Sequence, residues 1–178
     1  GGAFNIFSGE SDPLWPKANG AVDVIIPDGL GGFFVGGRFT SIGGVTRTNL
    51  ARVRSDRSVD PLWHPSPTGT NSAVLTMALA NNTLYIGGKF ARVAGQAKAN
   101  VAALNPATGQ LLSWNVTVND TVRVLVTDEG AVVMGGDFTQ VNGQPRSALA
   151  AVAAADGAVF PWNPGPEVDS GFIPEVQT

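Results

Sequence analysis

Three observations predict an all-β fold of four-stranded antiparallel blades of about 50 residues each, a β-propeller or part of one. The first is a spacing. Phe39 and Trp63, Phe90 and Trp114, and Phe138 and Trp162 are each separated by 24 positions. The second is a period: the steps from Trp15 to Trp63, Trp114 and Trp162 are 48, 51 and 48 residues. The third is composition. The 178 residues include 23 Gly and 12 Pro, 43% are hydrophobic and only 14% are charged, which suits short strands joined by many turns.

Residues 1–15 read as a truncated repeat, with Gly1-Gly2-Ala3-Phe4 and Asp12-Pro13-Leu14-Trp15 matching its start and end. Residues 16–63 are the first full blade repeat. Ala21 to Ile26 is apolar and β-branched, Asp28-Gly29 is a turn, and Phe33-Phe34-Val35 runs through Gly36-Gly37 to Phe39 as a hairpin partner. Ile42-Gly43-Gly44 turns again, Leu50 to Val53 forms a third strand, and a last strand runs into Trp63. Residues 64–114 repeat this order, with strands expected at 73–80, 83–90, 101–104 and 110–114. Residues 115–162 do so again, at 121–127, 131–138, 148–153 and 158–162. Residues 163–178 are a tail or the start of a next blade, with Phe172-Ile173 where a first strand should begin. The one length change falls between Trp63 and Gly87, so a surface loop is expected over 64–72.

Each recurring residue type has a structural reason to recur. The Gly pair permits a bulge or close backbone approach. Phe39, Phe90, Phe138, Trp63, Trp114 and Trp162 are the largest apolar groups of their units and are assigned to packing between blades. Gly44, Gly95 and Gly143 lie five residues after their Phe and fit turns that need positive φ. A basic residue follows eight after each Phe: Arg47, Lys98 and Arg146. They are the possible ligand-facing set, a ring of cations around an anion. Repetition of the blade favours a recurring salt bridge or carbonyl contact instead. Asp137 stands where Arg38 and Lys89 stand in the other copies, which reads as a solvent-facing position that tolerates charge reversal.

The run Gly135-Gly136-Asp137-Phe138-Thr139-Gln140-Val141-Asn142-Gly143-Gln144-Pro145-Arg146-Ser147-Ala148-Leu149-Ala150-Ala151-Val152, followed by Asp156-Gly157, resembles the delta-60 repeat, a bacterial β-propeller repeat of unknown function. Residues 36–63, 87–114 and 135–162 match closely and 1–15 in part, although Trp stands where many such repeats have Phe. The Gly-Gly-x-Phe element is also similar to kelch-type blades. The resemblance implies an exported or cell-surface propeller, often joined to other domains. It implies no reaction.

Chemistry has few candidates. His64 is the only histidine and aligns with Asn115 and Asn163, so it reads as a polar loop residue. There is no Cys and no recognisable metal-ligand spacing, so no metal or cofactor is expected. Asp28, Asp128 and Asp156 sit at turns, and no Ser has a plausible His partner, so no catalytic residue is assigned. A net charge of −3 with no basic run disfavours nucleic acid. No run approaches the roughly 18 apolar residues needed to span a bilayer. Chance accounts for the sequons at Asn81, Asn115 and Asn119 in a chain this rich in Asn and Thr.

The functional expectation is a non-catalytic structural or interaction module of a secreted or cell-surface protein, binding a protein or a glycan on its loop face. The alternative is a lectin-like propeller using exposed Trp platforms, and less favoured is a hydrolase or lyase at a central channel. Three full repeats are fewer than the common six- to eight-bladed ring. Further blades are expected from the same longer protein or another chain.

Overall fold

A computed structural model describes residues 12–163. The Gly1–Phe4 start of the truncated repeat and the Phe172-Ile173 segment lie outside the described residues. Within them the protein is all-β, with no helix.

Three similar units follow one another. The first contains β1 (Ala21–Pro27), β2 (Phe33–Arg38), β3 (Ser41–Ile42), β4 (Val45–Thr46) and β5 (Leu50–Val53). The second contains β6 (Ala73–Ala80), β7 (Thr83–Lys89), β8 (Arg92–Val93), β9 (Gln96–Ala97) and β10 (Val101–Leu104). The third contains β11 (Val122–Asp128), β12 (Ala131–Gly136), β13 (Gln140–Val141), β14 (Gln144–Pro145) and β15 (Leu149–Ala153). Each unit has one three-stranded antiparallel sheet, β1-β2-β5, β6-β7-β10 and β11-β12-β15, and one two-stranded ribbon.

The expected fourth strands are reduced to single bridges, Val53 to Val59, Leu104 to Leu111 and Val152 to Val159. Asp60, Leu112 and Phe160 each donate one further backbone hydrogen bond, to Arg52, Ala103 and Ala151. Pro61 and Pro161 come next and have no N–H to extend the ladder. In the second unit the chain bends instead, and the Trp114 N–H turns back to the Leu112 carbonyl. The expected turn after each Phe is itself a ribbon, β3-β4, β8-β9 or β13-β14. Its two central residues have positive φ: Gly43 and Gly44, Ala94 and Gly95, Asn142 and Gly143. Two successive positive φ values match the hand of a two-residue hairpin to the twist of its strands.

The Gly pairs do two separate things. A Cβ on Gly37, Gly88 or Gly136 would lie 2.1–2.2 Å from the carbonyl oxygen of Ala21, Ala73 or Thr121, so only Gly allows the first strand to come so close. That approach accompanies a register shift in each first strand, between Val22 and Val24, Val74 and Thr76, and Val122 and Val124. The other Gly of each pair lies in the seam between units. A Cβ on Gly36 would meet Val74 of the second unit, and one on Gly87 would meet Val122 and Leu125 of the third.

The units stack through their first strands, β1 against β6 and β6 against β11. One core holds Phe34, Leu50 and Trp63 of the first unit with Val74, Met77 and Ile86 of the second. Another holds Tyr85, Val101 and Trp114 with Val122, Leu125 and Met134. Each tryptophan bridges its seam. Trp63 packs 5.1 Å from Phe34 and its Nε1 donates across to the Pro106 carbonyl. Trp114 packs 5.1 Å from Tyr85 and donates to Ala153. Phe39, Phe90 and Phe138 are buried, Phe90 in the first of these cores and Phe138 in the second. Trp162, assigned to the same packing role, is 49% exposed.

Candidate functional site

The basic residues eight after each Phe bind backbone. Arg47 donates from Nη2 to the Asp60 carbonyl at 2.7 Å and from Nη1 to Thr46, and Arg146 does the same to Phe160 and Pro145. Lys98 donates from Nζ to the carbonyls of Trp114 and Val116 at 2.6 and 2.9 Å. Both arginines are buried, and their Nε atoms have no hydrogen-bond partner. Desolvation pushes the Lys98 ammonium below the ordinary lysine range. These cations tie the segment around each tryptophan to the ribbon turn.

A different set of charges gathers where the first and second strands meet. The register shift turns Asp23, Leu75 and Arg123 outward, at equivalent positions of β1, β6 and β11. On the neighbouring strand stand Arg38, Lys89 and Asp137, the residues before each Phe, with Arg38 and Lys89 in register with Ala21 and Ala73. In the first unit Arg38 donates from Nε and Nη2 to the Asp23 carboxylate at 3.1 and 3.0 Å. In the third the polarity is reversed, and Arg123 donates to Asp137 at 2.7 and 2.6 Å. Asp137 therefore does not simply tolerate charge reversal. The change from cation to anion at 137 is matched by the opposite change at 123. The Arg123 hydrogen bonds hold the Asp137 carboxyl below its usual range, opposed by desolvation and helped by the charges of Arg123 and Lys89.

The second unit lacks this pair. Its outward position is Leu75, and among the described residues Lys89 forms no ion pair. Lys89 opens into a cavity of about 330 Å³ that is also lined by Arg38, Arg123, Asp137, Leu75 and Asn71. Arg38 and Asn71 are shared with a neighbouring groove of about 590 Å³ lined by Asn19, Thr40, Asn49, Gly69 and Ser72. The longer 64–72 loop thus supplies one wall of both.

Side-chain amides shape the groove. Asn19 accepts from the Thr40 and Ser41 N–H groups through Oδ1, and Asn119 repeats this with Thr139 and Gln140. The loop places Gly69 in the second unit instead, with φ of 151°. Asn49 has positive φ and donates to the Pro67 carbonyl and the Ser72 hydroxyl, fixing the far side of the loop.

The first unit also carries a buried ion network. Arg52 donates to Asp28 at 2.9–3.0 Å and lies 3.7 Å from Asp60, which accepts from Arg54 at 2.9 Å. Burial pushes the Asp28 carboxyl up. Hydrogen bonds from Leu30 N–H, Arg52 and Gly32 N–H outweigh it, so Asp28 stays below the usual carboxylate range. Asp60 is lowered in the same way, with desolvation outweighed by Arg54 and Leu62 N–H. These are turn and scaffold carboxylates. His64 is exposed in its loop. No group of three or more His, Cys, Asp or Glu side chains is placed to hold a metal among the described residues. No helix there is long and apolar enough to cross a membrane.

The mouth charges were missed in the sequence because positions 38, 89 and 137 were read alone. Reading them beside positions 23, 75 and 123 shows the swap. No curated protein matches the chain. Residues 34–62, from β2 through the Val59 bridge, match the family model described as a β-propeller domain of unknown function (DUF5122), which supports a β-propeller family.

Proposed function

We propose that this protein is a non-catalytic interaction module of a secreted or cell-surface β-propeller, and that its partner, a protein or a glycan, binds at the mouth and groove around Lys89. The delta-60 and kelch-like resemblance supports export and a propeller of repeated blades. On this reading each sheet, with its bridged fourth segment, is one four-stranded blade. One observation carries the binding face. The repeated charges are taken up by carbonyls or by each other, while Lys89 forms no ion pair among the described residues and shares with Leu75 a cavity that continues into the loop unique to the second unit. An unpaired cation on an otherwise matched rim is a point where an anionic or strongly hydrogen-bonding group gains most.

The test is binding of the intact chain to a glycan array and to a displayed peptide library. Hits are expected, and Lys89→Ala and Asn71→Ala should each remove them without lowering the melting temperature. Hits that survive both substitutions would place binding on another face. Turnover of a chromogenic glycoside or ester panel would overturn the non-catalytic reading.

A further inference from the structure

Two cavities meet at Asn71, and their walls have different chemistry. The groove of about 590 Å³ falls within the roughly 300–1,000 Å³ of small-molecule sites. Asn19, Thr40, Thr48, Asn49, Asn71 and Ser72 each bring an amide or a hydroxyl to its wall. Its one aromatic, Phe39, is buried and offers no face for stacking. The adjoining cavity of about 330 Å³ is lined instead by charges, among them Arg38, Lys89, Arg123, Asp120 and Asp137.

The longer loop of the second unit is what frees Asn71. Asn19 and Asn71 each stand two residues ahead of their first strand, β1 and β6. The Asn19 amide is fully engaged: Oδ1 accepts from the Thr40 and Ser41 N–H groups, and Nδ2 donates to the Thr40 hydroxyl at 2.8 Å. In the second unit the Thr68 backbone pairs with the ribbon at Arg92. Asn71, with φ of 53°, forms no side-chain hydrogen bond among the described residues. It lines both cavities, and its amide has two donors and an acceptor to offer. On the groove side, Ser72 accepts from Asn49 Nδ2 at 2.7 Å and Thr40 from Asn19, which leaves both hydroxyl protons to donate. Thr48 adds a half-buried hydroxyl. On the cavity side, Arg38 and Arg123 are held by Asp23 and Asp137, and Asp120 accepts from the N–H and hydroxyl of Thr121. Among the described residues, Lys89 has neither an ion-pair partner nor a side-chain hydrogen bond.

We propose that the ligand of this mouth is an acidic oligosaccharide, with one sugar held through its hydroxyls in the Asn71 groove and the carboxylate of an adjoining uronic acid on Lys89. The inference rests on the binding face proposed above and narrows its partner from a protein or a glycan to a carboxylated glycan. Sugar hydroxyls both donate and accept, as do the groups on the groove wall. A protein hot spot needs an apolar pocket for an aromatic or aliphatic anchor, and Phe39, the large apolar residue of the groove, is buried. Because both arginines are already paired, Lys89 is the cation left to receive a carboxylate.

The test is titration calorimetry of the intact chain with three probes: a galacturonate trisaccharide, its methyl ester and triglutamate. The acid saccharide is expected to bind at least about tenfold more tightly than its ester, because only the acid makes a charge-assisted contact. Lys89→Gln should remove that preference. Asn71→Ala and Thr48→Val should weaken acid and ester alike, severalfold, with the melting temperature retained. Equal binding of acid and ester, or a preference that survives Lys89→Gln, overturns the carboxylate assignment. Triglutamate bound in preference to the saccharide, and lost in Lys89→Gln, overturns the glycan and leaves the mouth as a protein-binding face. Saccharide binding untouched by all three substitutions overturns both the inference and the binding face. A chain that binds none of the probes overturns the acidic glycan alone, since the array and library still test the face.

Discussion

The seams and the mouth are made by the same three repeats under opposite demands. At the seams, Trp63 and Trp114 sit in nearly the same place, each packed against an aromatic of its own unit and hydrogen-bonded to a carbonyl of the next. At the mouth, the equivalent pairs are Asp23 with Arg38, Leu75 with Lys89, and Arg123 with Asp137. A dry packed interface tolerates little change in volume or shape. A solvated rim asks only that charges be balanced, so polarity can be swapped or a pair lost. Sameness therefore marks stability, and difference marks the surface available for recognition.

The largest effect should come from the seam itself. Trp63→Ala removes a buried indole and its cross-seam hydrogen bond, and should cost about 3–5 kcal/mol in urea unfolding. Trp162→Ala, at a half-exposed position, should cost much less unless its face is covered in solution. Equal losses at the two sites would break the distinction between filled and open seams.

Backbone approach offers a finer version. A Cβ on Gly87 would lie 2.8 Å from both Thr76 and Val122, while one on Gly135 has its nearest neighbour, Val124, at 3.2 Å. Gly87→Ala is expected to cost about 1–3 kcal/mol through overpacking, and Gly135→Ala less. Melting temperatures of the two variants would decide this.

Acid should weaken the first unit through its buried carboxylates. Asp28 and Asp60 titrate below the unfolded carboxylate value of about 3.9. Their contribution is present above that value and is lost as pH falls through their lower folded values. Asp28→Asn should lower stability at pH 7 and flatten its fall between about pH 5 and 2, as measured by urea midpoints. An unchanged slope would mean that the network does not carry the acid response.

Two positions hold alanine in the left-handed region, Ala94 with φ of 50° and Ala148 with φ of 63°. The counterparts of Ala148 are Asn49 and Asn100, and both donate a hydrogen bond to the following segment. Ala148→Gly and Ala94→Gly should each stabilise by about 1 kcal/mol by relieving this conformation. The smallest expected change in stability is at the mouth. Leu75→Asp would give Lys89 the partner that its counterparts have, changing stability by less than about 1 kcal/mol because the pair is exposed. Its effect on binding should be large, and array hits that persist would move the site away from Lys89.

Much of the architecture was legible in the sequence because it depends on local chemistry. The first three strands of each unit follow from β-branched runs and from turns such as Asn81-Asn82, both of which have positive φ. The ribbon after each Phe was visible only as a turn, since two-residue strands such as Ser41–Ile42 have no periodicity to detect. The fourth segment of each unit is legible only as a strand end at the recurring Trp, and in the structure it pairs through a single bridge. Pro61 and Pro161 leave the ladder without donors after a single bridge. The candidate site was less legible. Lys89 and Leu75 are 14 positions apart, and nothing local says that they line one cavity.

By itself, the sequence determined that the chain is repetitive, all-β and organised by a period near 50, because turn residues and apolar spacing act over a few positions. Only the tertiary structure decided which repeated residues are scaffold and which are open to a partner. Arg47, Lys98 and Arg146 look like a ligand ring in one dimension, yet each is held by carbonyls 13 to 18 residues further along. Lys89 looks like an ordinary surface lysine, yet folding places it in one cavity with Leu75, Arg123 and Asp137. The physical reason is that a charge takes its meaning from what lies across the strand or seam from it, and that neighbour is chosen by register.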